Sequence, residues 1–254
     1  MRFSALVGEE TFETLKKSHI LIFGIGGVGS YLTEALARCG VGKLTLVDFD
    51  TVAVHNINRQ IHALTSTIGQ KKVDLMKARI GDINPQCDVR IFAERVTSAE
   101  VSSFFTVRPD YVCDAIDDVA AKIAIIKHCR EQGIPLISAM GTGNKLQPQL
   151  LTVTDISKTS VCPLSRAVRK KLREQGVENG VTVVYSPEIP VKSGIYDDGK
   201  PVPASSCLVP PAAGILMASH IINDFAQYKR KEQEINKINK DNKEENDGER
   251  KYFG

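Results

Sequence analysis

Apolar residues along this chain fall into short continuous runs, separated by stretches with helical spacing. The runs His19-Ile20-Leu21-Ile22-Phe23 and Lys43-Leu44-Thr45-Leu46-Val47 read as strands near 19–24 and 43–48. Further strands are expected near 87–93, 110–115 and 134–139. Helical spacing predicts helices near 28–39, 70–82, 98–105 and 118–132, after a short leading helix over 8–17. This alternation predicts an α/β fold, a Rossmann-like, mostly parallel sheet with helices on both faces. A strand near 149–155, a helix near 161–175 and a strand near 181–186 continue the same domain. Residues 187–203, rich in Pro and Gly, read as a mobile loop. A last apolar helix near 211–227 opens on Pro210 and Pro211, where proline is tolerated. One domain is therefore expected over residues 1–228. From Lys229 to Gly254 the sequence turns to Lys, Glu, Asn and Asp. That composition predicts a charged tail, a helical extension near the core or disorder beyond it.

The candidate chemistry sits at the predicted strand ends. Gly24, Gly26 and Gly29 have the spacing G-x-G-x-x-G, with Gly27 inside it. The first glycine permits a tight turn, the second lets backbone approach a phosphate, and the third lets helix pack on strand. The helix that follows would aim its first N–H groups at an anion. Asp48 ends the second strand, about where an acid meets a ribose in such motifs. The alternative is a glycine turn that only packs a helix on a sheet. Asp50, Asn56, Arg59 and Lys72 follow, polar groups that a dinucleotide-dependent dehydrogenase does not need. Arginine forks and lysine ammonium groups suit phosphate oxygens, so this set points to ATP-dependent activation. Each has a competing reading: a surface ion pair for Arg59, a solvated helix residue for Lys72 beside Lys71, and a turn cap for Asn56. Asp117 and Asp118 follow the fourth strand. A strand-end carboxylate beside a triphosphate suits Mg²⁺, which takes one or two protein carboxylates with phosphates and water. Asp117 is assigned the metal and Asp118 the cap of the next helix.

Composition narrows the class without changing it. The 254 residues carry a net charge of +3, which neither demands nor excludes nucleic acid. No apolar run of 18 residues and no signal-peptide pattern occurs, so no membrane association and a cytoplasmic location are expected. The six cysteines (Cys39, Cys87, Cys113, Cys129, Cys162 and Cys207) form no C-x-x-C pair, which argues against a zinc site. Cys162, at a predicted helix start, is either a reactive thiol or a structural residue, and the structural reading is preferred. Cys207 is read the same way. The helix near 161–175 carries Arg166, Arg169, Lys170 and Arg173 on one face. That face suits RNA phosphates, with an ordinary solvated face as the equal alternative.

The motifs together resemble the ThiF/MoeB family, the ubiquitin-activating-enzyme-like adenylyltransferases. The matching stretches are Gly24 to Ser30, Asp48-Phe49-Asp50, Asn56-Ile57-Asn58-Arg59-Gln60, Gly69-Gln70-Lys71-Lys72 and Asp114-Ala115-Ile116-Asp117. Asn58 to Leu64, Asp82-Ile83-Asn84-Pro85, Lys158 to Leu164 and Val183 to Ser186 resemble one branch, the tRNA threonylcarbamoyladenosine dehydratases. The resemblance implies an adenylation domain using ATP and Mg²⁺. It implies that Asp48 holds the ribose, that Asn56, Arg59 and Lys72 hold the triphosphate, and that Asp117 carries the metal. It also implies a homodimer in which Arg2 reaches the partner subunit's ATP site. The expected substrate is tRNA carrying threonylcarbamoyladenosine, with a sulfur-transfer protein as an open further partner. The main rival is activation of the C-terminus of a ubiquitin-like sulfur carrier, which differs in partner and not in ATP site. A nicotinamide dehydrogenase and a non-catalytic scaffold explain fewer of the polar residues.

Overall fold

The structure is a computed structural model and describes residues 2–226, apart from 195, 198 and 199. Two helices, α1 (Arg2–Val7) and α2 (Glu9–Lys17), lead into β1 (His19–Phe23). The sequence predicted only the second of them. Gly8, with φ of 88°, separates the pair, a left-handed conformation that glycine adopts at little steric cost. Then follow α3 (Gly29–Arg38), β2 (Lys43–Val47), α4 (Lys72–Ile83), β3 (Asp88–Phe92), β4 (Tyr111–Asp114) and α5 (Val119–Glu131). Next come β5 (Leu136–Ala139), β6 (Thr152–Asp155), α6 (Pro163–Arg173) and β7 (Thr182–Tyr185). A small hairpin, β8 (Tyr196–Asp197) and β9 (Lys200–Pro201), precedes a last helix, α7, over residues 209–226. Pro210 and Pro211 lie in its first turn. The predicted tail over 229–254 falls outside the described residues.

The seven main strands form one sheet in the order β3-β2-β1-β4-β5-β7-β6, parallel except where β6 pairs antiparallel with β7. Every residue of β1 is buried, as expected of a central strand covered on both faces. Its alternate side chains separate two cores. Ile20 and Ile22 pack in the cluster that includes Leu32 and Leu36 of α3, Val73 and Met76 of α4, and Met217 and Ile221 of α7. Leu21 and Phe23 pack on the opposite face with Ile125 of α5 and Phe104. β1 pairs with β2 on one side and β4 on the other. The chain therefore reverses its winding beside β1, the place where such sheets bind ligands.

One predicted element needs correction. The expected helix over 98–105 is a 3-10 turn, Val101–Phe104. Val101 and Phe104 are both buried at a spacing of three, the period at which 3-10 side chains eclipse. Phe104 meets Phe23 and Phe92 edge-on, with centroids 5.8 and 5.4 Å apart. The described residues of the stretch 187–203 lie outside the seven-stranded sheet, and the hairpin within them is a separate two-stranded pair. Asn144, with φ of 60°, ties down both sides of that stretch. Its N–H donates to the Ala204 carbonyl at 2.7 Å, and its own carbonyl accepts from Val191 N at 2.8 Å.

Candidate active site

Ladder bonds run past the strand ends and align three segments. Gly24 N donates to the Val47 carbonyl at 2.9 Å, and Ala115 N donates to the Phe23 carbonyl at 2.8 Å. Gly24 has φ of 85°. A Cβ there would also lie 2.8 Å from the Ala115 oxygen, so backbone conformation and space both select glycine. At Gly29 a Cβ would sit 1.8 Å from the Gly24 oxygen, so α3 starts directly behind the strand only because this residue has no side chain. Gly26 is different. The nearest atom to its Cβ position is Gln60 Nε2 at 3.8 Å, which leaves the backbone open to a ligand. The N–H groups of Gly26 and Gly27 engage no acceptor among the described residues. They stand at the N-terminal end of α3, a helix of ten residues, where an anion meets both free donors and the helix dipole.

Asp48 braces this turn. Its Oδ2 accepts from Ile25 N at 2.7 Å and its Oδ1 from Asp50 N at 2.8 Å. Burial raises its carboxyl pKa above the ordinary value, opposed by Lys72 and by those two N–H donors. Lys72 opens α4 and is only 4% exposed, while Lys71 is exposed. The solvated-helix reading therefore fits Lys71 and not Lys72. Lys72 Nζ lies 2.7 Å from Asp50 Oδ2, and its N–H donates to the Asp50 carbonyl at 3.1 Å. The ammonium is thus held at the edge of the cleft by a half-exposed carboxylate.

Asn56 is buried and caps the turn Val54–Asn56, its Oδ1 accepting from Ala53 N at 3.0 Å. The turn-cap role weighed for it is present. Three residues on, the Arg59 side chain lies over Gly27, with Cγ 3.3 Å from the glycine's Cβ position. Arg59 Nη1 donates to the His55 carbonyl at 2.6 Å and to Asn58 Oδ1 at 3.0 Å. No carboxylate pairs with it among the described residues, so the surface ion-pair reading has no partner there. Burial lowers its pKa from the ordinary arginine value.

Asp117 is exposed just beyond β4, and no hydrogen bond engages its carboxylate among the described residues. Asp118 caps α5, its Oδ1 accepting from Ala121 N at 2.8 Å. A single free carboxylate at a strand end suits Mg²⁺ that draws its other ligands from phosphate and water. Among the described residues no three His, Cys, Asp or Glu side chains cluster as a self-sufficient metal cage.

Sequence reasoning missed the support beneath this edge. Lys122, fully buried, donates from Nζ to Asp114 Oδ2 at 2.9 Å, Ser138 Oγ at 3.2 Å and the Ala139 carbonyl at 2.8 Å. Ser138 Oγ donates to the same Asp114 oxygen at 2.6 Å, and Asp114 Oδ1 accepts from Ile116 N at 3.2 Å. A buried ammonium with all three protons used clamps the ends of β4, β5 and α5 together. The available signal was a lysine inside the apolar helix Val119-Ala120-Ala121-Lys122-Ile123.

Other predicted residues lie elsewhere. Arg2 is exposed on α1, and among the described residues no hydrogen bond or ion pair joins it to the glycine turn of its own chain. Cys162 is the buried N-cap of α6, beside Gly141. Cys207 is exposed. It follows Ser205, whose carbonyl accepts from Asn58 Nδ2 at 2.8 Å, and precedes Pro210, whose Cβ lies 3.2 Å from the Cβ position of Gly27. Arg166, Lys170 and Arg173 are exposed on α6, whereas Arg169 turns inward and donates to the Thr159 carbonyl at 2.9 Å.

A parallel sheet with a free-amide glycine turn at its switch point, ringed by two cations and strand-end carboxylates, defines a nucleotide-binding α/β protein. The chain belongs to the ThiF family, whose pattern matches residues 1–251. It is 46% identical over 231 residues to a protein of Bacillus subtilis named tRNA threonylcarbamoyladenosine dehydratase, covering 86% of this chain and 91% of that protein. The crystal structure of the Escherichia coli tRNA N6-threonylcarbamoyladenosine dehydratase in complex with ATP shares its fold, with a TM-score of 0.83 and 36% identity. That likeness covers 90% of this chain and 94% of the other. The same E. coli protein in complex with AMP gives a TM-score of 0.83 and 37% identity, with the same coverage.

Proposed function

We propose that this chain is an ATP-dependent enzyme that dehydrates, and thereby cyclises, the threonylcarbamoyl group of adenosine 37 in tRNA. The observation that carries this reading is the pairing of an open, anion-ready glycine turn with Lys72 and Arg59 at its rim. The likeness to dehydratases over most of both chains supports the substrate.

The threonyl carboxylate attacks the α-phosphorus of ATP, and pyrophosphate leaves. The resulting acyl-adenylate is then displaced by a nucleophile of the same side chain, which closes a ring and releases AMP. One carboxylate oxygen leaves with the AMP, so the net change is loss of water. Lys72 and Arg59 hold the phosphate oxygens on which charge develops, and fixed cations there lower the barrier. Asp48 holds the ribose hydroxyls. Asp117 would hold Mg²⁺, which would supply charge neutralisation to phosphate oxygens. Ring closure requires orientation more than a protein nucleophile, in keeping with a buried Cys162. We further propose a homodimer in which Arg2 enters the partner's cleft, a cytoplasmic location, and tRNA contact through the exposed cations of α6. A sulfur-transfer protein remains a secondary candidate partner.

Nucleoside mass spectrometry after incubation with ATP, Mg²⁺ and threonylcarbamoyladenosine-containing tRNA tests the reading. The expected product is lighter by one water and appears only with ATP. Arg59→Ala and Asp117→Ala should abolish it while shifting the thermal midpoint little. An unchanged nucleoside, with ATP–pyrophosphate exchange only when a small ubiquitin-like protein is added, would instead identify a sulfur-carrier activator.

A further inference from the structure

Gln60 stands out in the cleft wall because the protein leaves it unfinished. It is 6% exposed. Its backbone is fixed at both ends, N donating to the Asn56 carbonyl at 3.0 Å and its carbonyl accepting from Ala63 N at 3.1 Å. The side-chain Oε1 is buried without a hydrogen-bond partner among the described residues. The great majority of buried side-chain polar atoms have a partner. Oε1 only accepts and cannot meet a phosphate oxygen, so the end of the carboxamide that suits an anion is Nε2. Nε2 also makes no hydrogen bond among the described residues and is the atom nearest the Cβ position of Gly26, at 3.8 Å. Gly26 is where the turn leaves its backbone open and its N–H free. The adjoining residue of each segment repeats the pairing, Arg59 (before Gln60) lying over Gly27 (after Gly26). Ile61 N, donating to Ser30 Oγ at 3.4 Å, anchors the wall to the first turn of α3.

We propose that Gln60 is a phosphate-binding residue of the cleft, whose carboxamide donates from Nε2 to the α-phosphate seated on Gly26. This rests on the ATP-dependent reading above and assigns Gln60 a task different from that of its neighbours. The α-phosphate stays with the nucleotide through ATP, acyl-adenylate and AMP, whereas the β- and γ-phosphates leave as pyrophosphate. A residue on the α-phosphate holds all three species. On the reading above Arg59 and Lys72 hold the triphosphate as a whole, so they lose contacts when pyrophosphate leaves.

The test compares ATP and AMP binding by titration calorimetry in the wild-type protein, Gln60→Met and Arg59→Ala, with thermal unfolding of each without nucleotide. Met keeps the unbranched shape and removes the amide. A hydrogen bond to a charged group typically contributes enough for a change of about tenfold or more. Gln60→Met should therefore weaken AMP and ATP binding alike by about tenfold, while Arg59→Ala weakens ATP far more than AMP. Without nucleotide, Gln60→Met should unfold at the wild-type temperature or above it, because an orphaned oxygen has been removed. Unchanged AMP affinity in Gln60→Met overturns the proposal. A lowered midpoint without nucleotide, with AMP affinity kept, shows a structural amide instead. Wild-type protein that binds neither nucleotide would overturn the ATP-dependent reading itself, and this inference with it.

Discussion

Two buried basic side chains differ in their partners. Lys72 has an acceptor in Asp50. His62 has none: neither ring nitrogen has a partner among the described residues. Burial first, then the charges of Lys72 and Arg79, lower its pKa from 6.5 to about 4. Between those values the unfolded chain binds a proton that the folded chain refuses, so stability falls as pH falls through that window. The full effect is on the order of 3 kcal/mol, reached near pH 4. Denaturant melts of the wild-type protein and His62→Phe between pH 7 and 4 check this, and the variant should lose that share of the acid sensitivity. An equal slope in both would assign the sensitivity to other groups. At this scale the placement of the glycine turn, of Asp48, Arg59 and Lys72 near it, and of the Asp118 cap was legible, because each placement depends on local spacing. The Asp114–Lys122–Ser138 clamp was not, because its members meet only after β4, α5 and β5 have packed. Gln60 was quoted within a motif but given no role, because orphaned atoms exist only in three dimensions.

Among the elements, α7 packs directly on the start of α3. It crosses α3 so tightly that a Cβ on Gly214 would lie 2.3 Å from the Val28 carbonyl oxygen and 2.8 Å from Leu32 N. Those are backbone atoms at the start of α3, directly behind the glycine turn, so relief requires one helix to move. Gly214→Ala should cost about 1–3 kcal/mol, the usual range for overpacking. It should also weaken nucleotide binding, since the displaced helix carries the free amides. Thermal unfolding and ATP titration of this variant measure both. A midpoint and affinity equal to wild type would show that the crossing has slack. Strand positions were legible because buried runs leave a strong apolar signal. The stretch over 98–105 was misread because two phenylalanines and a valine at short spacing satisfy helical and 3-10 periods alike. A groove of about 650 Å³ along α5, lined by Ala120, Ala124, Lys127 and Lys171, contains none of the predicted nucleotide contacts. Free volume alone does not mark the chemistry here.

For the whole molecule, charge distribution says more than net charge. Arg166, Lys170 and Arg173 are exposed along one flank of α6, and the helix N-cap Cys162 stands beside Gly141, just past the end of β5. Replacing all three by Ala should weaken tRNA binding and reduce the slope of log K against log salt by about 2 to 3, at roughly 0.7–0.9 per phosphate contact. AMP affinity should be unchanged. An unchanged salt slope would leave this flank as ordinary solvated surface. The parallel architecture was legible from alternating periods, whereas the antiparallel β6 at the sheet edge was not, because strand direction leaves no mark on composition.

The central place of β1 also sets a timetable for synthesis. Its neighbours are residues 43–47 and 111–114. The emerging chain can pair one side of β1 early, but roughly 60 more residues must be translated before β4 exists, a delay of about 3 to 12 seconds at common ribosome speeds. During that interval the most apolar strand of the protein presents an unpaired edge, the condition under which nascent chains associate wrongly. The glycine turn packs on the end of β4 through Ala115, so the proposed nucleotide site is complete only once that edge is paired.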